Sequence, residues 1–303
     1  MRAGVRVAYV KKSQSAMEYL MTYGWAILVI SIVLASLWQL GVFNSAAQSP
    51  REQPGACRVM RNQAVGGGVQ TALMGACGNL LPQFVAQFDG ASSYISTGMN
   101  NFPTGSSPDS GFAWVDITYP GVSGVGKLYA VQLFGGASGL PDQYFWLGIG
   151  YVTTYTPVFS EDGFVHTCSG QVIAYNTWHQ IGWTYDGSTT LNLYVDGVVT
   201  QCTITQANLP PISSDISYIG GYPGNYNFNG LVSNVQLYNS TLSAGEVKAL
   251  YNEGIGGAPL PLPSLVGWWP LNGNPNDYSG NKNSGTPYNV KMNSTWASGY
   301  IVP

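Results

Sequence analysis

The segment 178–199 constrains the fold most strongly, because it has the pattern of two β-strands that are joined and ended by tight turns. Apolar side chains occupy every second position of 181–185 and again of 191–195. An Asp-Gly pair separates the two runs at 186–187, and a second pair follows at 196–197. A period of two is that of a β-strand, and Asp-Gly favours the two-residue turn of a hairpin. The segment therefore predicts an antiparallel hairpin with one apolar face.

Short runs of the same type continue along the chain from Phe84 onward. They are rich in Val, Ile, Tyr, Phe and Trp, and clusters of Gly, Asn, Asp and Ser separate them at the spacing of a β-sandwich. Within this body, no long helical period occurs between Phe84 and position 242. Charged residues make up only 8% of the chain, against about a quarter in a typical soluble domain. We therefore predict a mainly β body whose surface consists largely of uncharged polar side chains.

The hairpin and the motifs on both sides of it resemble the LamG-like, concanavalin A-like jelly-roll family. The last matching motif contains Ser243 and Glu246 at the spacing of a capping box, as expected for the short helix that closes the domain in this family. The resemblance implies a jelly-roll β-sandwich over 84–254. The matching segments, in chain order, are FDGASSYI at 88–95, FAWV at 112–115, the hairpin at 178–199, YIGG at 218–221, FNGLVSNVQLY at 228–238 and LSAGEVKALY at 242–251.

One part of the family's pattern stands in an unusual place. Family members begin with a strand like WPL and a loop like D-x-SGN-x-N-x-G-T, and these motifs occur here only after the body, at 268–271 and 277–286. Two arrangements are compatible with this order: the segment folds back onto its own sheet, or it completes the sheet of a neighbouring subunit. Folding back is favoured, because an open apolar edge would promote aggregation. We therefore predict that 255–303 is a proline-rich linker followed by strands that complete the sandwich.

A long apolar segment precedes the β body. Residues 19–50 carry no charge, and the apolar run 25–43 has about the length needed to cross a bilayer as a helix. Four of the eleven basic residues precede position 14, which orients the N-terminus toward the cytoplasm and exports the remainder. The pattern predicts a long transmembrane or filament-core helix over 14–43, followed by a linker and a small cysteine-tied segment over 44–83. The body would then be extracellular, and the protein would be membrane-anchored at the cell surface before assembly.

The residues before the apolar run, KKSQSAMEYLM at 11–21, resemble the class III signal of archaeal type IV pilins and archaellins. The resemblance implies that 1–13 is a basic leader, which a prepilin peptidase removes between Ser13 and Gln14. Glu18 then becomes the fifth residue of the mature chain, where this family carries its glutamate. Ser13 departs from the family, which more often has Gly or Ala there. A buried carboxylate is costly unless it is paired, so pairing with the new α-amino group of a neighbouring subunit would set the subunit register. A plain signal anchor is the alternative.

The four cysteines form two local pairs in the sequence. Cys57 and Cys77 precede the β body, whereas Cys168 and Cys202 flank the hairpin. Four cysteines allow three connectivities. Pairing within each local pair is favoured, because an exported chain meets an oxidising environment and each bridge closes a moderate loop. Four buried thiols are the alternative.

The sequence shows no arrangement typical of catalysis. Retaining glycoside hydrolysis needs two carboxyl groups about 5–5.5 Å apart, and the E-x-D-x-E string that usually supplies them in this fold does not occur. Glu161 and Asp162 are the only adjacent acidic pair, and neighbours on a strand point to opposite faces. There is no GxSxG motif, and the chain has only two histidines, His166 and His179. We predict that the protein is not an enzyme, and the absence of a basic patch argues against nucleic acid as a partner.

The C-terminal SGN motif contains candidate ligands for calcium. Asp277, Asn281 and Asn283 present hard oxygen ligands at loop spacing. The resemblance implies that some family members use this loop to bind calcium. An Asx-rich turn without metal is the alternative, and no cofactor is required by the sequence.

Two further groups of residues suggest contact with carbohydrate. Tyr222, Tyr226 and Phe228 lie in the glycine-rich stretch GGYPGNYNFNG, where aromatic rings stack on sugars if they are not packed in the core. Asn239 and Asn293 begin Asn-Ser-Thr sequons, which predicts N-glycosylation in an exported chain.

Together these features predict a pilin-like surface filament subunit that displays a LamG-like adhesion or carbohydrate-binding domain. Its partners would be other pilin-like subunits, the prepilin peptidase, the membrane and surface glycans. A monomeric membrane-anchored lectin or adhesin is the alternative, and a secreted glycoside hydrolase is a third.

Overall fold

In this computed structural model, an apolar helix near the N-terminus precedes a β-rich body. The chain comprises two compact units, Met1–Gln48 and Ser49–Pro303. The residues that the structure describes are 16–39, 51–64, 67–78, 81–99, 107–118, 128–134, 144–151, 155–161, 166–203, 217–221, 227–296 and 299–303.

Helix α1 extends over Ala16–Gln39 and contains Glu18, whereas Ser13 and Gln14 lie outside the described residues. Most of the large apolar side chains described in it are exposed, from 49% at Leu34 to 77% at Trp38. Four consecutive residues, 27–30, share this exposure, so the apolar surface covers all sides of the helix. The transmembrane prediction for this region is not supported: among the residues described, no helix is both long and apolar enough to span a membrane.

The body contains short strands and one further helix, α2 (Ala244–Glu253). Its N-cap is Ser243, and the capping box with Glu246 is present as predicted. The strands are β1 (Arg51–Glu52), β2 (Cys57–Gln63), β3 (Val69–Gly75), β4 (Leu81–Pro82), β5 (Val85–Asp89), β6 (Tyr94–Ser96), β7 (Asp109–Ile117), β8 (Leu128–Phe134), β9 (Tyr144–Tyr151), β10 (Tyr155–Glu161), β11 (His166–Ser169), β12 (Trp178–Tyr185), β13 (Thr190–Val195), β14 (Val198–Thr203), β15 (Ser217–Ile219), β16 (Asn229–Tyr238), β17 (Leu265–Trp269), β18 (Thr286–Tyr288) and β19 (Lys291–Ser294).

Two large sheets form the sandwich. The seven-stranded sheet has the order β11-β10-β9-β8-β15-β6-β18. The eight-stranded sheet has the order β14-β13-β12-β7-β16-β5-β19, with β17 also paired to β16. Strands β12 and β13 form the predicted hairpin, in which Trp183 lies opposite Leu193. The prediction of a mainly β sandwich is therefore confirmed.

Alternate residues of the two sheets face each other and form the main core. Ile95 and Ile219 contribute from the seven-stranded sheet, and Val115 and Trp183 from the eight-stranded sheet, each at most 1% exposed. Because successive residues of a strand point to opposite faces, the intervening residues lie on the outer faces.

A second apolar layer covers part of the outer face of the eight-stranded sheet. Leu250 of α2 and Val59 of the β2–β3 hairpin belong to it, together with Phe112 and Trp268. The segment 44–83 was predicted to be a linker followed by a small cysteine-tied segment, and the described part of that cysteine-tied segment is a hairpin. Strands β2 and β3 form a hairpin whose side chains are part of this layer.

Both predicted disulfides are present. Cys57 is bonded to Cys77 at the base of the β2–β3 hairpin. Cys168 is bonded to Cys202, which joins β11 at the edge of one large sheet to β14 at the edge of the other. The second bridge therefore closes one side of the sandwich covalently.

The C-terminal segment pairs with strands of its own chain. Strand β17 pairs with β16, β18 with β6, and β19 with β5, so the segment adds strands to both large sheets. Trp268 and Trp269 of β17 are at most 2% exposed. This is the fold-back arrangement, in which the late WPL motif completes the chain's own sandwich.

Candidate functional site

The structure corrects the predicted aromatic loop at Phe228. This ring is 0% exposed and packs edge-on against Phe88, with ring centroids 6.3 Å apart. Phe228 directly precedes β16; its backbone N–H donates to the Gly220 carbonyl, and its side chain lies in the core. Phe228 therefore cannot present a ring face to a ligand. Tyr222 and Tyr226 lie outside the described residues.

Three other tyrosines form an aromatic surface, which we call the tyrosine face. Tyr94, Tyr218 and Tyr288 belong to β6, β15 and β18, which are neighbouring strands of the seven-stranded sheet. Ile95 and Ile219 are buried in the core, so the tyrosines beside them lie on the outer face. Tyr94 and Tyr218 are half-buried, and Tyr288 is 45% exposed.

The three rings have fixed relative positions. Tyr288 lies directly opposite Tyr94 across the β18–β6 pair, and their rings stack with centroids 4.6 Å apart and 19° between planes. Tyr218 is diagonal to Tyr94 and meets it edge-on, with centroids 5.8 Å apart and 72° between planes. Cross-strand aromatic pairs of this type are mutually stabilising, so the surface is organised without a ligand.

The turn before β6 supports the tyrosine face. The Asp89 carboxylate accepts backbone N–H groups from Ala91, Ser92 and Ser93 at 2.8–2.9 Å. Burial alone would raise the pKa of the Asp89 carboxyl, but these hydrogen bonds outweigh it and hold the pKa below its ordinary value. Asn289, just after β18, donates from Nδ2 to the Ser92 hydroxyl at 3.1 Å. The turn and the edge strand are thereby tied together around the tyrosines.

The residues next to the tyrosines are polar and uncharged. Thr286 lies opposite Ser96, which in turn lies opposite Tyr218. The face therefore combines aromatic rings with hydroxyl groups, which suits a ligand that has an apolar flat side and a polar rim.

The predicted calcium ligands form a hydrogen-bonded loop. Asp277 Oδ1 accepts the N–H groups of Trp268 and Ser279, at 3.1 and 2.8 Å, and Oδ2 accepts that of Asn283 at 2.8 Å. Asn281 and Asn283 each donate from Nδ2 to the Val266 carbonyl at 2.9 Å. These bonds attach the loop to β17, and the calcium role stays a prediction. Within the described ranges, no group of three or more His, Cys, Asp and Glu side chains is arranged to hold a metal.

Both predicted sequons place their asparagine at the surface. Asn239 follows β16 and Asn293 lies in β19, and each side chain is exposed. The Thr241 hydroxyl of the first sequon donates to the Tyr185 carbonyl at 2.6 Å. Access to Asn239 and Asn293 is compatible with the predicted modification.

Sequence reasoning missed the tyrosine face because its members are far apart along the chain. The alternation of Tyr94-Ile95-Ser96 and of Ser217-Tyr218-Ile219 does predict strands with a tyrosine on one side. Only the pairing of β18 with β6 brings Tyr288 to the same surface. That pairing depends on the late C-terminal segment.

A family model described as "Concanavalin A-like lectin/glucanases superfamily" matches residues 89–248, slightly more than half of the chain. No curated protein matches the chain in sequence.

Among solved structures, the fold is similar to that of a protein from Bacteroides ovatus described as carbohydrate-binding, with 17% identity and a TM-score of 0.50. That match covers 75% of this chain and 64% of the other, so this chain spans slightly less than two thirds of that protein's length. A heptameric SAP-like pentraxin from Limulus polyphemus is similar at 11% identity and a TM-score of 0.51, covering 69% of this chain and 94% of the pentraxin. At these identities the likeness concerns the fold.

Proposed function

The chain belongs to the concanavalin A-like lectin/glucanases superfamily, and on that premise we propose that its β-sandwich binds carbohydrate through the tyrosine face. The observation that carries this proposal is the set of three tyrosines on adjoining strands, stacked or edge-on at 4.6 and 5.8 Å. The function is binding rather than catalysis, because the face presents hydroxyl groups and rings and the chain lacks the E-x-D-x-E string of glycoside hydrolases.

The chemistry of the face favours a neutral glycan. A pyranose ring has an apolar side formed by C–H groups, which stacks on an aromatic ring, and hydroxyl groups at its edge, which exchange hydrogen bonds with Ser and Thr. The residues named for this face carry no charge that would select an acidic ligand. Charged or strongly apolar partners would leave either the hydroxyl groups or the rings without a matching group.

Replacing Tyr94 by alanine is expected to weaken glycan binding by roughly 30-fold, equivalent to about 2 kcal/mol. Tyr94 touches both other rings, so its loss removes one stacking surface and releases Tyr218 and Tyr288. The measurement is binding of the full chain to an array of neutral polysaccharides, with and without calcium, followed by titration with the best ligand.

Tyr94→Phe serves as the matched control, because it keeps the ring and is expected to keep most of the affinity. The proposal is contradicted if the full chain binds no glycan on the array, or if Tyr94→Ala binds as tightly as the unchanged protein.

We also propose that α1 assembles with the same helix of other subunits, so that the glycan-binding body is displayed on a pilin-like filament outside the cell. Two observations support this. The helix exposes apolar side chains on all sides, as at Trp25 and Trp38, and such a helix is normally covered by other helices or by lipid. The sequence around Ser13 and Gln14 resembles a prepilin peptidase site, and Glu18 stands where the pilin glutamate is expected.

Glu18→Ala is expected to abolish filament assembly, because it removes the carboxylate that pairs with the α-amino group of the next subunit. Mass spectrometry of the native protein should find a mature N-terminus at Gln14, and electron microscopy should find filaments only without the substitution. The unfolding transition of the body serves as the control and should not change. An intact leader would favour the monomeric anchored lectin instead.

A further inference from the structure

A polar cavity of about 440 Å³ opens on the eight-stranded sheet, close to its β5–β19 edge. Asp116 of β7 lies in its wall, between residues of the neighbouring strands. Gln87, Lys291 and Ser294 also line the cavity, which we call the Asp116 pocket. It involves none of the tyrosine-face residues and lies on the other large sheet.

Asp116 is the unusual group in this pocket. Its side chain is only 7% exposed, yet no described residue donates a hydrogen bond to its carboxylate. Burial raises the pKa of Asp116 to about 6, and the nearby His179 only partly opposes this. Asp89 and Asp277, in contrast, each accept several backbone N–H groups. The Asp116 carboxylate lines the pocket, so its two oxygens are available to a ligand that brings donors.

The rest of the wall is rich in hydrogen-bonding groups. The Ser294 hydroxyl donates to Gln87 Oε1 at 2.8 Å, which positions the side-chain amide of Gln87. Asn176 adopts a positive φ of 54° and donates its N–H to the Ile117 carbonyl at 2.8 Å. Lys291 lies opposite Gln87 across the β19–β5 pair. The pocket therefore offers acceptors, an amide and a cation to one small ligand.

His179 does not supply the missing donor. Its Nε2 accepts the N–H of Ala174 at 3.3 Å, so the ring proton lies on Nδ1, which is bonded to Asp196 Oδ2 at 2.7 Å. Both ring nitrogens are thus engaged away from Asp116. The ligand must bring its own donors, and Lys291 in the wall makes a cationic ligand unfavourable.

We propose that the Asp116 pocket is a second carbohydrate-binding site, which takes a single neutral sugar residue whose adjacent hydroxyl groups donate to the two oxygens of Asp116. This proposal rests on the proposed carbohydrate-binding function of the sandwich. A neutral sugar fits because it supplies paired donors without a charge, while Gln87 and Lys291 bind its remaining oxygens. One protein molecule would then bind a glycan on the tyrosine face and a single sugar residue in the Asp116 pocket.

The test is titration of the full chain with methyl glycosides of neutral hexoses, observed by saturation-transfer NMR. At least one glycoside is expected to bind, and Asp116→Asn should weaken it at least about tenfold, the loss expected for hydrogen bonds to a charged group. Glu253→Gln, which changes an exposed carboxyl group at the end of α2, serves as the control and should bind normally. The melting temperature of Asp116→Asn at pH 7.5 should equal or exceed that of the unchanged protein, because a buried charge has been removed.

The following results would contradict the pocket proposal, and two of them distinguish it from the tyrosine face. Absence of glycoside binding, normal binding by Asp116→Asn, or a lower melting temperature of that variant would overturn the pocket proposal. Binding of a polysaccharide but of no glycoside would overturn it while leaving the tyrosine face intact. If Tyr94→Ala also lost the glycoside, a single site would explain both ligands and the second site would be wrong.

Discussion

Removal of residues 264–303 is expected to abolish cooperative folding of the β-sandwich, although this segment follows the family's usual closing helix. It supplies β17 to one sheet and β18 to the other, and it buries Trp268, Trp269 and Trp296 to 2% exposure or less. Replacing one buried tryptophan by alanine costs about 3–5 kcal/mol. The loss of three such residues therefore equals most or all of a typical domain stability of about 5–15 kcal/mol.

Near-UV circular dichroism and limited proteolysis of a chain that ends at 263 would show this loss directly. Adding 264–303 as a separate peptide should restore the native spectrum, since the missing strands can pair from outside. A chain lacking only 301–303 is the control, because Ile301 is 78% exposed. A cooperative unfolding transition in the chain that ends at 263 would contradict the fold-back account.

A second large effect is expected from Glu52, whose side chain is 9% exposed. Burial raises the pKa of its carboxyl group to about 7 from an ordinary value of 4.5, although the Cys57 N–H partly stabilises the charged form. The folded state therefore binds the proton more tightly than the unfolded state. Protonated Glu52 therefore adds to the free energy of unfolding. This contribution is complete below pH 4.5 and is lost as the pH rises through 7. The total change from this group is up to about 3 kcal/mol.

Glu52→Gln should remove this pH dependence and make the protein more stable by up to about 3 kcal/mol at pH 8, because glutamine is neutral and keeps an acceptor for Cys57. Urea unfolding at several pH values between 4.5 and 8 measures the difference between the two proteins. Asp116, whose pKa is raised to about 6, lowers the stability of both proteins in the same way as the pH rises. Stability curves that run parallel across this range would contradict the assignment to Glu52.

The local parts of the fold were predictable from the sequence because their determinants are neighbours along the chain. The β12–β13 hairpin follows from alternation and two Asp-Gly pairs, and α2 follows from Ser243 and Glu246 at capping-box spacing. The cysteine pairs are also local in sequence and form as expected. The small cysteine-tied segment was predicted as such, but the elements against which its β2–β3 hairpin packs, α2 and β17, were not, because they come almost two hundred residues later.

The site was less predictable, because it depends on contacts between distant strands. Phe228 lies among glycines and tyrosines and has the pattern of a surface loop, yet it directly precedes β16 and its ring packs in the core. Tyr94 and Tyr288 have no feature that pairs them until β18 is placed beside β6. Asp116 has no distinguishing motif at all. Its position between Leu231 and Trp178 of the neighbouring strands becomes visible only when β16 and β12 are placed on either side of β7.

The most direct test of the central claim is NMR of the ring carbons and protons of tyrosine in the full chain during titration with the best glycan. The account predicts that the resonances of Tyr94, Tyr218 and Tyr288 shift with one common affinity. Those of Tyr185 and Tyr238, which are at most 1% exposed, should stay in place. Binding that leaves all three tyrosines of the face unshifted would contradict the account.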